Sequence, residues 1–391
     1  MKIAQVNVYF YPHMVGGAEW YVYNISRALV RLGHEVDVIT SVSYNGEEIE
    51  EPTEVEGVKI HRLPLNLNLS YRAKVWSGLK EELMNGDYDI IHTYDYAQPH
   101  TFTALNVGGD LDIPVALTVF DIHSLIPRPF WKKLPMRIFD RFFASTVLEM
   151  ASIVLVRAPN LIPSLLKMGL PQERIRVTPS GILDEALNHF DGYEFLTRHS
   201  IEGRPVILYL GRLHPMKGPQ YLLKAAPKII EQHPNAHLVF VGPEQDGYAD
   251  RLREMSERLG VSRHVSLLEP IYDFEEKMNA YASCDIFTLP SGYEGTSQAV
   301  FEAMAQSRPI VATDRGGIPF QVEDGREGLL VKYGDVEGFA EAVLRLLKDR
   351  ELASQLGSNA REKVKRFTYS LLAKDLESIF LSLLESHTNH S

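Results

Sequence analysis

The feature that most constrains this chain is a pattern that runs through it twice: short apolar strands alternating with amphipathic helices. Residues 3–10 form a first apolar run, 19–32 have helical period, and 35–40 form the next apolar run after Gly33. Strands separated by helices cannot be joined as hairpins, so they pair in parallel in a sheet whose two faces are covered. Further strands are expected at 90–93, 115–120, 153–157 and 175–178. The stretch 180–204, with Gly181, Gly192 and Gly203, interrupts the pattern and reads as a linker. The alternation restarts at 205–210 and continues through strands at 237–241, 265–268, 286–289 and 309–312. The expectation is therefore α/β, with two Rossmann-like doubly wound domains at 1–183 and 184–368. An amphipathic tail, 369–391, has only the first domain to return to.

Length agrees with two cores, because 391 residues of which 45% are hydrophobic exceed what one core holds. The formal net charge of −11 argues against nucleic acid as a partner, since phosphate contacts need a continuous basic face. Cys284 is the one cysteine, so no internal disulfide forms; its apolar surroundings mark it as core. Residues 1–12 read as a strand rather than a secretory signal, and no apolar run reaches the roughly 18 residues of a membrane span. A cytoplasmic protein, at most peripheral on the membrane, is expected.

Three segments carry chemistry. Gly16 and Gly17 stand between the first strand and first helix, where they serve either a tight turn or close approach of backbone to a ligand; the full dinucleotide fingerprint is missing. Arg212 and Lys217 lie on the loop leaving the second domain's first strand. They are either solvated loop charges or a clamp for a diphosphate, with Arg as a planar fork and Lys as a mobile point charge. The third segment runs from Pro290 to Ala305. A helix expected near Thr296 would offer the amides of Ser297, Gln298 and Ala299 to a phosphate. Glu302 falls inside the apolar run 299–305, either to accept hydrogen bonds from a polyol such as ribose or as a buried Glu paired with Arg or Lys.

Nearly the whole chain resembles the family 4 glycosyltransferases. The resemblance rests on Gly16-Gly17-Ala18-Glu19, 31–36, 177–182, Gly211-Arg212-Leu213 with Lys217-Gly218, the two glutamates Glu294 and Glu302, and Gly316-Gly317-Ile318-Pro319. It implies the GT-B fold, two domains facing across a cleft with the acceptor on the first and the donor on the second, and transfer with retention of anomeric configuration. It implies a nucleotide-diphosphate sugar, UDP- or GDP-hexose, as co-substrate, a glycan, lipid-linked or small-molecule acceptor, and no cofactor. By that likeness Arg212 and Lys217 hold the diphosphate, Glu294 a sugar hydroxyl, Glu302 the ribose, and Gly16 or Gly17 the β-phosphate. A nucleotide-sugar epimerase or hydrolase, or a binding protein without turnover, stands as the alternative.

The chain departs from the family at four places. Phe120-Asp121-Ile122-His123 stands where His-Asp is usual, leaving Asp121 or His123 to take the histidine's role; Phe320, Ser307 and Ser180 replace an acidic residue, a glycine and an asparagine. Asp87-Tyr88-Asp89 and Asp110-Leu111-Asp112 match a metal-binding pattern but precede strands, on the edge away from the ligand crevice, so no metal is expected. His92, Tyr94 and Asp95 follow a strand toward that crevice and are acceptor-side candidates. The basic, aromatic run 128–143 suits either an anionic membrane or a helix packed on the first sheet with a solvated basic edge.

Overall fold

The computed structural model describes every residue except 13, 15, 45–46, 49–50, 69–73, 123–129, 245 and 389–391. The chain forms two compact units, one of residues 1–181 with 369–391 and one of residues 182–368.

The first unit is built on an eight-stranded sheet. Across it the order is Ile175–Val177, Ile153–Val156, Val115–Val119, Ile90–Tyr94, Lys2–Val6, Glu35–Ser41, Val58–Leu63 and Glu54–Val55. All neighbours are parallel except the last pair, a hairpin. Its two-residue turn, Glu56 and Gly57, has φ of 47° and 81°, the doubly positive geometry that matches strand twist. Sequence reading passed over this hairpin because its outward positions are Glu and Lys, so only a weak apolar alternation marks it.

The first strand ends at Val6 rather than running to Phe10. Beyond it the Asn7 side-chain amide donates to the Tyr9 carbonyl at 2.8 Å and turns the chain. The tail helix, Tyr369–Thr388, packs on the helix Gly17–Arg31, buries Phe380, and ties His34 Nε2 to Glu377 Oε1 at 2.8 Å.

The second unit has a six-stranded, wholly parallel sheet in the order Val265–Leu268, His237–Val241, Val206–Leu210, Ile286–Leu289, Ile310–Thr313, Gly328–Val331. Its core takes in Cys284, whose thiol burial pushes up to about 12; the sulfur donates to the Tyr281 carbonyl at 3.3 Å. This is an inert thiol.

The helix Gln298–Ala305 ends in a two-bond cap. Ser307 N donates to the Met304 carbonyl at 3.0 Å and Arg308 N to the Ala303 carbonyl at 3.1 Å. This pattern places Ser307 in the left-handed region, at φ 57°. A Cβ there is strained, which is the physical reason a glycine suits the position. Ser307→Gly is expected to stabilise the second unit by about 0.5–1 kcal/mol, a rise of roughly 1–4 °C in its melting temperature by calorimetry. An unchanged or lower Tm would show that the serine is not strained.

Candidate functional site

In the second unit the direction of winding reverses between Val206–Leu210 and Ile286–Leu289. Strands 206–210, 237–241 and 265–268 run outward one way, and 286–289, 310–313 and 328–331 the other. At such a reversal the loops leaving the two central strands diverge and leave a crevice at their carboxyl ends. Those loops carry Arg212 to Gly218 and Pro290 to Ser297.

Close backbone approaches hold the loops together. Gly292 N donates to the Met216 carbonyl at 2.8 Å, and Gly317 N to the Glu294 carbonyl at 2.9 Å. Gly218, at φ 75°, and Gly316, at φ 59°, leave no room for a side chain: a Cβ on either would lie 1.9 Å from the carbonyl oxygen of Pro290 or Glu294. The Gly-Gly-Ile-Pro segment is therefore the brace behind Glu294.

On this brace, Lys217 Nζ donates to Glu294 Oε1 at 2.7 Å, joining the two crevice loops. His214 shapes the cationic loop, since its Nδ1 accepts from Met216 N at 3.1 Å and caps the single turn Pro215–Lys217. Burial, then the charge of Arg212, holds the His214 pKa below the usual histidine value, which keeps Nδ1 available as an acceptor. Arg212 is exposed, and its carbonyl accepts from the Tyr209 hydroxyl at 2.8 Å.

Glu302 is buried with three donors on it. Lys277 Nζ reaches Oε1 at 2.7 Å, Gln298 Nε2 the same oxygen at 3.0 Å, and the Tyr281 hydroxyl Oε2 at 3.0 Å. Lys277 and Tyr281 are four apart on the helix Phe274–Ser283, so one face presents both. Burial, followed by the charge of Glu302, raises the Tyr281 pKa and keeps its proton. Sequence reading left open a buried Glu paired with Lys, and that pairing is present. It did not identify Lys277 or Tyr281, although their spacing was visible. One lone pair on Oε2 is left for a further donor by the usual capacity of a carboxylate.

The segment expected to offer three amides to a phosphate has fewer of them free. The helix begins at Gln298, not near Thr296, and Ser297 is its cap, with Oγ accepting from Val300 N. Ser297 N donates to Gln321 Oε1 at 2.7 Å, while Gln321 Nε2 donates back to the Ser297 carbonyl at 2.7 Å. The Ser297 amide is therefore taken, and the first-turn amides of Gln298 and Ala299 are the ones without an acceptor inside the helix. Gln321, fully buried, was missed because a lone Gln after Gly-Gly-Ile-Pro carries no charge signal.

In the first unit the winding reverses between Lys2–Val6 and Ile90–Tyr94, and a small cavity there is lined by Asn7, Glu19, Asp95, Gln98, His100 and Phe120, among others. Gly16 caps the helix Gly17–Arg31. A Cβ on Gly17 would meet nothing within 4 Å, so this glycine is not demanded by packing.

Asp95 turns the chain at φ 72° and lines the cavity. His92 does not: it is fully buried, bonded to Thr118 Oγ1 at 2.7 Å and the Tyr94 hydroxyl at 3.2 Å, and edged by Phe380. Burial pulls its pKa down to about 3, so this is a neutral core histidine, not an acceptor contact. Tyr94 lines the cavity, but its hydroxyl donates to Gln5 Oε1 at 2.5 Å. His92 lies inside the expected strand 90–93, and its ring turns under the tail helix instead of reaching the crevice.

At the place of the family histidine, the Phe120 ring stacks on Tyr94 at 5.7 Å, with the buried Arg157 guanidinium 5.6 Å away. Arg157 also lies 3.6 Å over Tyr21 and donates to Ser180 Oγ, which accounts for the serine at that position. Asp121 is half-buried; His123 lies outside the described residues. Asp87-Tyr88-Asp89 sits at the amino end of the strand Ile90–Tyr94, where Asp89 Oδ2 accepts from Lys2 N at 2.7 Å, and Asp110-Leu111-Asp112 ends the helix Pro99–Leu111 that leads into Val115–Val119, with Asp110 paired to Lys80 at 3.3 Å. Among the described residues no group of three or more His, Cys, Asp or Glu is placed to hold a metal.

Comparison with known proteins agrees with this geometry. The family model "Glycosyltransferase Family 4" matches residues 15–185, and "Glycosyl transferases group 1" matches 195–363. An uncharacterized glycosyltransferase of Methanocaldococcus jannaschii is 27% identical, over 98% of this chain and 99% of its own. The D-inositol 3-phosphate glycosyltransferase of Corynebacterium jeikeium is 28% identical over 98% and 97%. Among solved structures, Anabaena HepE in complex with UDP superposes with a TM-score of 0.80 at 18% identity, covering 98% of this chain and all of that one. Sucrose-phosphate synthase of Thermosynechococcus elongatus gives 0.76 at 22%, over 98% and 99%. The shared architecture is GT-B.

The two glycine segments are expected to behave oppositely. Gly316→Ala meets both a positive φ and a carbonyl, and should cost the second unit about 1–3 kcal/mol, read as a melting temperature several degrees lower. Gly17→Ala should leave stability unchanged, because open space receives the methyl. Equal melting temperatures for the two variants would contradict the close-approach argument.

Proposed function

The chain belongs to the family 4, group 1 glycosyltransferases, and from that premise we propose that it moves a hexose from a UDP- or GDP-hexose to a hydroxyl of a glycan, lipid-linked or small-molecule acceptor, with retention at the anomeric carbon. The observation that carries this reading is the arrangement at the second unit's winding reversal: Arg212, the Lys217–Glu294 pair and the buried Glu302 on loops and a helix at the carboxyl edge of one sheet. UDP and UDP-glucose in complexes of HepE, a protein of the same fold, support a nucleotide-sugar donor. The Corynebacterium relatives, whose name specifies D-inositol 3-phosphate, support a small polyol phosphate as one acceptor to test.

In the proposed reaction the bond from the anomeric carbon to the diphosphate breaks as the acceptor oxygen bonds to that carbon on the same face. The acceptor's proton passes to a donor phosphate oxygen. Negative charge on the departing diphosphate peaks in the transition state, where Arg212, Lys217 and the first-turn amides of Gln298 and Ala299 stabilise it. Lys217 is supplied already oriented by Glu294, which turns to a sugar hydroxyl as the lysine turns to phosphate. The last lone pair of Glu302 accepts a ribose hydroxyl, with Lys277, Tyr281 and Gln298 holding the carboxylate in place. No cofactor takes part, and no metal is required.

A thermal-shift panel of UDP, GDP and ADP sugars identifies the donor, because a ligand at 100 times its Kd stabilises by about 2.7 kcal/mol. With that donor, Arg212→Ala and Lys217→Ala should each lower kcat by about a hundredfold, on the order of 3 kcal/mol, and combine less than additively since both serve one diphosphate. Near-normal kcat in both single variants would overturn the clamp. Glu302→Ala should weaken nucleotide-sugar binding roughly tenfold to a hundredfold by calorimetry. Turnover should survive EDTA; loss reversed by Mg²⁺ or Mn²⁺ would overturn the metal-independent reading.

A further inference from the structure

The helix Phe130–Phe142 is turned opposite to the way a helix packed by its apolar stripe would be. Inward, Phe139 packs against Tyr96 at 5.9 Å and Phe102 at 6.2 Å, and Asp140 Oδ1 accepts from the Tyr96 hydroxyl at 2.5 Å. Trp131, Leu134, Ile138 and Phe142 recur at intervals of three and four, which puts them on one stripe, and all four are exposed, Trp131 by 72% and Phe142 by 66%. Exposed Phe143 follows. Large exposed apolar residues scattered singly are ordinary, but here five of the fifteen among the described residues fall within thirteen positions.

Charge identifies the occupant. The helix carries Lys132, Lys133, Arg137 and Arg141 against Asp140, whose carboxylate is turned inward, in a chain with a formal charge of −11. Exposed Arg137 and Arg141 flank the apolar stripe, with the Arg141 guanidinium 5.6 Å from the Phe142 ring. A second copy would bring two such cationic helices together, whereas an anionic bilayer takes the rings into its headgroup boundary and the guanidinium groups onto its phosphates. We propose that this helix is a membrane-docking surface that lies flat on anionic lipid, Trp131 and Phe142 inserted and Arg137 and Arg141 at the phosphates.

The test is flotation of the full chain with vesicles of pure phosphatidylcholine and of phosphatidylcholine with 30 mol% phosphatidylglycerol. Binding is expected to be at least tenfold stronger to the anionic vesicles and to weaken at high salt. It should fall at least tenfold in Trp131→Ser/Phe142→Ser and in Arg137→Glu/Arg141→Glu. Thermal unfolding should be unchanged in both, because the altered side chains are exposed. A blue shift of tryptophan emission on anionic vesicles should vanish in Trp131→Phe, leaving Trp20 and Trp76 as unresponsive reporters. The proposal is overturned by equal partition to both vesicles, by no binding to either, or by binding that neither double variant alters. A concentration-dependent dimer that Trp131→Ser/Phe142→Ser disperses would overturn it in favour of self-association.

Discussion

Parallel strands cannot be joined by short turns, and everything at the candidate site depends on that constraint. Each crossover returns the chain to the amino edge, so every strand of the second unit delivers its following loop to the same edge. A reversal of winding is the one place where two such loops separate. Here those loops bring Lys217 to Glu294, and the brace from Gly316 and Gly317 sets the height of the Glu294 backbone. Positions that look like isolated family signatures are thus mechanically one object.

The charges of the site share a second property: each described carboxylate is held by a lysine from a different segment. Glu294 is paired across loops, and Glu302 is paired to a neighbouring helix. A buried carboxylate without such a partner would be driven to take up a proton, and a lysine pointing freely into solvent would lose rotamer entropy on meeting a ligand. Pairing therefore keeps both side chains partly ordered.

Much of this was legible in the sequence because periodicity is a one-dimensional record of burial. Alternation exposed the doubly wound architecture, and the placement of Arg212, Lys217, Glu294 and Glu302 on loop and helix segments followed from it. What was not legible depended on side-chain pairing across space. Gln321 taking the Ser297 amide, and Lys277 and Tyr281 closing on Glu302, involve residues whose local sequence contains nothing unusual. His92 was misread for a related reason: a histidine within a strand looks the same in sequence whichever element covers the face it turns to. The helix Phe130–Phe142 shows the opposite limit, since an amphipathic pattern states that two faces differ but not which one turns inward.

The return of Tyr369–Thr388 to the first unit also sets an order of events in synthesis. The sheet bearing His92 is translated early, yet the helix that covers it with Phe380 is made only after all of residues 182–368. At the usual pace of translation the intervening unit occupies roughly ten to forty seconds. Throughout that interval the second unit can fold to completion on its own contiguous segment. The first, although begun earlier, keeps an apolar face uncovered beside the ribosome. The first unit therefore completes its packing only after the second unit has been translated.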